Sequence, residues 1–390
     1  MISLPLMMLS VLPGAELDLG FALIPLSGLL LLLRALIEGQ YWEALRFGIP
    51  VVCVTAVCCW LAIRWAVDQF NNESVMFREG ERFGLGLWFR HLVRDREDTP
   101  TASEAVLCGV LLLVIRFFFS LVAPPPTSWN TLATTTLIML VAFIAAPACL
   151  MAIMLTRRPG KTLLLCPPSF AATIPAAGLL AVALHPVLLW LNEGIRFLYP
   201  LSPLAIGKLR EIDAMFTAAP LWQALVVICL APAICEELAF RGFILSGLRR
   251  MGHKWGAIVL ASVFFGLAHG ILQQSLGAAV IGVVIGYVAV KSGSLLPGIL
   301  YHGVHNGLSV LIGRITPDAV GSHSLLRLVF EPGGEPGQVI YRWPAMLIAG
   351  GIAVGLLWWL KSLPYHHSAE ERLQEALESQ SIAVPARSLA

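Results

Sequence analysis

Apolar runs of about 20 residues recur along the whole 390-residue chain, and no other feature limits its fold so severely. A helix of that length crosses the hydrocarbon core of a bilayer. There is no water inside that core, so each backbone N–H and C=O must find a partner within the spanning structure, and helices do this by themselves. Composition points the same way: 57% of residues are hydrophobic and 13% charged, where a soluble domain carries roughly a quarter charged. So little charge cannot cover a water-facing surface, which excludes a soluble enzyme and a disordered chain. A net charge of +2 offers no basic field for phosphates and excludes a nucleic-acid partner. The expectation is an all-α polytopic membrane protein whose first partner is the lipid bilayer.

The runs place about ten transmembrane helices, near 20–38, 46–67, 104–123, 131–155, 169–195, 221–248, 256–273, 275–291, 294–313 and 344–360. Lys and Arg set the orientation. About 15 of them, from Arg78 to Arg96, Arg157 to Lys161, Arg249 to Lys254, Lys291 and the tail, fall on one side, against about 7 on the other. Both termini are therefore expected in the cytoplasm. Residues 1–165 form one half, with a polar cytoplasmic insert at 68–104. A basic linker, Arg157–Pro168, leads to a second half at 169–360, and 361–390 reads as a cytoplasmic tail with a short helix capped by Ser368. Glu331–Gln338 reads as a turn-rich external loop. The eight cysteines lie mostly in apolar runs without paired ligand spacing and read as inert thiols.

Nearly all the ionisable residues inside spans fall in the second half. A charge at the bilayer centre costs about 2.5–3.5 kcal/mol on insertion scales, so such residues ask for a function. The sixth span carries Glu236-Glu237-Leu238-Ala239-Phe240-Arg241. Glu237 and Arg241 are four apart, with the acid N-terminal, which is the favourable order for a pair on one helix face. Glu236 points about 100° away and has no partner on its own helix. It must face another polar group or carry a proton. Candidates stand on later spans: Phe265-Gly266-Leu267-Ala268-His269, and His302-Gly303-Val304-His305-Asn306. His302 and Asn306 share a face, while His305 leans to the flank and reads as structural, as does a lone histidine such as His185. Pro232 and Pro297 are expected to kink their helices, and Gly266, Gly270, Gly303 and Gly307 to admit close helix contacts.

These residue types suffice for peptide-bond hydrolysis. An unpaired carboxylate in a low dielectric can take a proton from water, one imidazole can hold that water or a metal, and a second imidazole with an amide can stabilise an oxyanion. A polar network that merely locks three helices together is the simpler reading.

At these residues the chain resembles the CPBP family of intramembrane proteases, which includes Ras-converting CAAX prenyl endopeptidases and bacterial Abi proteins. The family pattern is EExxxR, FxxxH and HxxxN on successive helices, and all three motifs stand in order within 217–313. The resemblance implies a catalytic helix bundle in the C-terminal half and an endopeptidase acting on a membrane-associated protein or peptide. It implies Glu236 as activator of the water, His269 as its holder, His302 and Asn306 as the oxyanion pair, and a structural or substrate-orienting role for Glu237 and Arg241. As to cofactors, it admits a metalloprotease with Zn2+ on Glu236, His269 and His302, or a metal-free mechanism on glutamate and histidine. In the other half, Leu12–Glu16, Ala22–Leu26 and Phe70–Arg78 resemble the distal membrane region of NatB-type ABC-2 exporter permeases. That resemblance implies a second reading, a permease subunit partnered by a separate ABC ATPase. A non-catalytic scaffold for a lipidated or signal-like peptide is a third. Cysteine use and the exporter-like half imply a bacterial inner membrane.

Other motifs are set aside. Gly160-Lys161-Thr162 ends like a P-loop but has Leu155 where the first glycine belongs. His302 and His305 are three apart without the glutamate of HExxH, and His366-His367 lies at the membrane edge. The pairs Gly282/Gly286 and Gly351/Gly355 are expected to serve internal helix packing.

Overall fold

A computed structural model describes residues 17–71, 96–123, 125–201, 203–334, 337–365 and Arg372. Most of the 68–104 insert and of the tail, including its Ser368 helix and His366-His367, lies outside the described residues, as do Leu12–Glu16 and Asn72–Arg78. The chain divides into two units, Met1–Phe89 with Ile195–Pro200, and Arg90–Gly194 with Leu201–Ala390. In the first, α1 (Ser27–Ile37) and α2 (Tyr41–Asn71) pack through Leu31, Ala35, Ala44 and Val51.

The second unit holds the site. Its main helices are α3 (Ala102–Val122), α4 (Trp129–Leu155), α5 (Thr173–Leu198), α6 (Pro203–Ala218), α7 (Leu221–Met251), α8 (Lys254–Leu267), α9 (Leu272–Ser292), α10 (Leu296–Ile312) and α11 (Trp343–Ser362). A short antiparallel hairpin, β1 (Phe330–Pro332) and β2 (Val339–Tyr341), pairs Phe330 with Tyr341 across part of the loop expected at 331–338. The chain is an all-α polytopic membrane protein. Among the described residues seven helices are long and apolar enough to cross a bilayer, α2 to α5, α7, α9 and α11. The other three expected spans are shorter, with 11 residues in α1, 14 in α8 and 17 in α10. At 1.5 Å per residue, α8 is about 21 Å long and α10 about 26 Å, short of the ~30 Å core.

Local sequence explains the boundaries. At the start of α3 the Thr101 hydroxyl accepts from Glu104 N, and the Glu104 carboxylate accepts from Thr101 N at 2.8 Å, a reciprocal capping box. Glu104, read as the end of the polar insert, therefore belongs to the helix. Pro297 lies in the first turn of α10 and starts the helix instead of kinking it. The stretch between α5 and α7, read only as an extramembrane connection, forms α6. Its last carbonyls, those of Phe216 and Ala219, accept from Arg314 Nη2 at 2.7 Å. Two turns of α7 are wound as π-helix, Leu225–Leu230 and Leu238–Ile244, one on each side of Glu236-Glu237, and α4 has another at Met139–Ala145.

The core centres on α7. Phe240, Phe243, Ile244, Leu245 and Leu248 pack against Ala105, Cys108 and Leu112 of α3, Ala148 and Ala152 of α4, and Ile258, Ala261 and Phe265 of α8. Outward faces stay apolar, with Leu121 and Trp222 67% exposed and Trp358 76% exposed, as lipid contact requires. Helices α8 and α9 approach each other closely. A Cβ at Gly266 would stand 2.5 Å from Ser275 O, and one at Gly282 would stand 2.9 Å from Ser262 Cβ. Gly282 and Gly286 thus pack internally as expected. Gly351, Gly355 and Gly307 have no neighbour within 4 Å among the described residues, so the internal packing expected of them is not observed. Gly266→Ala is expected to force these backbones apart and cost about 1–3 kcal/mol, measurable as a lower unfolding temperature in detergent.

Candidate active site

Three elements bring the motif residues together. Glu236 and Glu237 stand on α7 between its two π turns, Arg241 within the second of them, His269 in the turn that ends α8, and His302 and Asn306 on α10. The pair expected within α7 is present: Arg241 Nη1 donates to Glu237 Oε1 at 2.8 Å, and both side chains are fully buried. Arg241 also donates to Gly282 O at 3.2 Å, and its guanidinium carbon lies 4.2 Å from the centre of the Phe265 ring. The phenylalanine of the second motif is therefore a cation partner as well as a packing residue.

His302 joins the two acids. Its Nδ1 lies 2.9 Å from Glu237 Oε1, and its Nε2 faces Glu236 Oε2 at 3.8 Å. A carboxylate only accepts, so the first contact puts a proton on Nδ1 and leaves Nε2 turned toward Glu236. The second separation is too long for a direct hydrogen bond. Glu236 Oε2 and Glu237 Oε2 are both buried with no hydrogen-bond partner among the described residues. Unpaired buried acceptors are costly and mark places where water or a ligand belongs. Across the helices Glu236 thus faces His302, on the third motif helix, at ion-pair distance and not in a hydrogen bond.

His269 is fixed by Nδ1 against Phe265 O at 2.9 Å, and its ring meets that of Phe265 edge-on at 5.0 Å, with His302 edge-on to the same ring at 5.8 Å. Phe265 is the common wall of both imidazoles. Asn306 Nδ2 donates to Ile228 O in the first π turn of α7, at 3.0 Å. One amide hydrogen is committed there, and the other is left for a ligand.

Among the described residues no group of three or more His, Cys, Asp and Glu side chains converges to hold a metal ion. Glu236, His269 and His302 do not form such a group in this arrangement. All eight cysteines are free thiols.

Outside the motifs, His305 packs on His185 (4.9 Å between ring centres) and stacks on Tyr301. His185 contacts the Tyr341 hydroxyl at 3.2 Å and Ser309 Oγ at 3.0 Å. Burial pushes the Tyr341 phenol up to about 12. The structural reading of His185 and His305 agrees with this packing, which ties β2 to α5 and α10. Sequence reasoning passed over a further cation. Arg116 of α3 donates to His269 O at 2.9 Å. The available signal was an arginine inside an apolar span, in itself a reason to look for a partner.

The fold and site define a polytopic membrane protein with acid–histidine chemistry buried among its helices. Residues 218–308 match the family described as type II CAAX prenyl endopeptidase Rce1-like. That segment contains all seven motif residues and ends just past Asn306. No curated protein and no solved structure matches the chain.

Proposed function

We propose that the chain is an intramembrane endopeptidase of CAAX type that hydrolyses a peptide bond of a membrane-associated protein or peptide. One observation carries the reading: Glu236, a partly buried carboxylate whose buried Oε2 has no hydrogen-bond partner among the described residues, faces the Nε2 of a histidine whose other nitrogen is held by a second carboxylate. The Rce1-like match over the same residues supports it.

In this mechanism Glu236 takes a proton from water as the water oxygen bonds to the scissile carbonyl carbon. The carbonyl oxygen becomes an oxyanion. His302, with Nδ1–H donated to Glu237, stabilises it by donating Nε2–H in its doubly protonated form. Asn306 offers its second amide hydrogen, and His269 Nε2 holds the attacking water. The C–N bond then breaks, and the proton taken by Glu236 passes to the leaving nitrogen. Glu237 is thus an orienting residue for His302, and Arg241 holds Glu237 in place. The exporter-permease reading of residues 1–165, with an ABC ATPase partner, rests on sequence likeness alone, since the family match does not reach them.

The test compares N- and C-termini of membrane proteins by mass spectrometry in cells making wild type or Glu236→Ala at equal levels. Termini present only with wild type are expected, and their sequences give the cleavage rule. An unchanged set of termini, with intact protein abundant and an ATPase co-purifying, would overturn the endopeptidase in favour of the transporter.

A further inference from the structure

The proposed mechanism makes no use of Arg116, an arginine within an apolar span. Arg116 stands on α3, far outside the matched segment, yet it continues the buried stripe of that helix. Ala105, Cys108 and Leu112 face the core at helical spacing, and Arg116 follows Leu112 by four residues on the same face. Gly109, two turns before Arg116, sets the approach: a Cβ there would stand 2.7 Å from Phe264 Cδ1. The absence of a side chain at 109 lets α3 rest directly against the end of α8, beside Phe265. Arg116 is then carried to the turn that follows.

In that turn His269 N bonds back to Gly266 O at 2.9 Å, and Gly270 takes a φ of 75°, where a side chain would be strained. The His269 carbonyl leaves the helix end, where the last carbonyls have no intrahelical donor. Arg116 Nη2 supplies one, across 153 residues of sequence. Its Nε and Nη2 would lie 3.7 Å from a Cβ at Gly270. Among the described residues the His269 carbonyl is the hydrogen-bond partner of this guanidinium, whose charge also interacts with that of Glu236. Both ends of His269 are therefore fixed: the ring by Phe265 O, the backbone by Arg116.

We propose that Arg116 is a positioning residue of the hydrolytic site, holding the turn that presents His269 toward Glu236, so that α3 belongs to the catalytic unit although it lies outside the Rce1-like segment. This rests on the endopeptidase reading. A guanidinium that merely neutralised a helix end would be replaced by an apolar side chain without effect on rate. A positioning residue would not, because displacing a catalytic group by 1 Å can cost about 100-fold.

The experiment has two stages and uses the full chain. Termini of membrane proteins are first compared for wild type, Glu236→Gln, Arg116→Met and Arg116→Lys. A peptide spanning the Glu236-dependent cut is then assayed with the purified proteins in detergent. Arg116→Met is expected to lower kcat about 10- to 100-fold with KM within about twofold, because substrate contacts are untouched. Arg116→Lys keeps a donor for the His269 carbonyl and is expected to retain at least about a third of kcat, with unfolding temperatures of both variants at the wild-type value. Arg116→Met cleaving at the wild-type rate would overturn the inference and leave the endopeptidase standing. Equal loss in both variants with lowered unfolding temperatures would also overturn it, assigning Arg116 to packing. If wild type yields no Glu236-dependent terminus, the endopeptidase reading fails and takes this inference with it.

Discussion

Glu236→Gln is expected to lower peptide-bond cleavage by about 10²- to 10⁴-fold, the range over which a positioned general base acts. Glutamine has the shape of glutamate and keeps an acceptor oxygen, but it cannot take a proton from water. Stability should be unaffected or raised. Glu236 Oε2 has no partner among the described residues, and its nearest cationic candidate, His302 Nε2, stands at 3.8 Å, so no hydrogen bond is lost. The same substitution also removes a charge from a low-dielectric site. Turnover of the peptide identified from the terminus comparison, together with the unfolding temperature in detergent, checks both halves. Wild-type turnover in Glu236→Gln would remove Glu236 as the proposed base and assign that role to another group.

Arg241→Met is expected to destabilise the protein by about 3–5 kcal/mol, the cost of leaving one member of a buried pair without the other. The magnitude follows from what the guanidinium holds. It neutralises Glu237, donates to Gly282 O and lies over the Phe265 ring. The double variant Glu237→Gln/Arg241→Met should recover much of the loss, because no unpaired charge is then buried. Recovery of fold without recovery of turnover is the further expectation, since His302 would keep its pocket but lose the carboxylate that sets its proton on Nδ1. Denaturant or thermal unfolding in detergent measures the first effect. An Arg241→Met protein as stable as wild type would show that the pair contributes nothing net.

Some of this was legible in the residue order. The i, i+4 spacing of Glu237 and Arg241 fixes their pairing on any α-helical turn, and the hydropathy of the runs fixes a helical membrane fold. The orphan status of Glu236 was legible too, with His302 among its candidates, but which candidate it meets was not, because helix periodicity says nothing about which face of α10 meets α7. For the same reason the bond from Asn306 to Ile228 O had no signal in the sequence. Arg116 escaped because a single charge in an apolar span carries no pattern: its partner is a backbone carbonyl, which has no sequence signature. The runs extend beyond the helices at α1, α8 and α10, which stop at 11, 14 and 17 residues, since composition registers apolar residues but not where a helix stops. Gly270, with its positive φ, ends the turn after α8, while the hydropathy of that run continues into α9.

The π turns on either side of Glu236-Glu237 bear on how this site can be altered or transplanted. Each is in effect a single residue absorbed into a helix without a loop, turning everything beyond it by about 100° relative to simple winding. A straight helix carrying the same six motif letters would keep Glu237 and Arg241 paired. It would not keep the angle between that pair and the Ile228 carbonyl that Asn306 grips from α10. Excising one residue from Leu225–Leu230 should therefore shorten α7 by only about 1.5 Å while uncoupling the two motif helices. The geometry of the site is written as much in the winding of this helix as in the identity of its side chains.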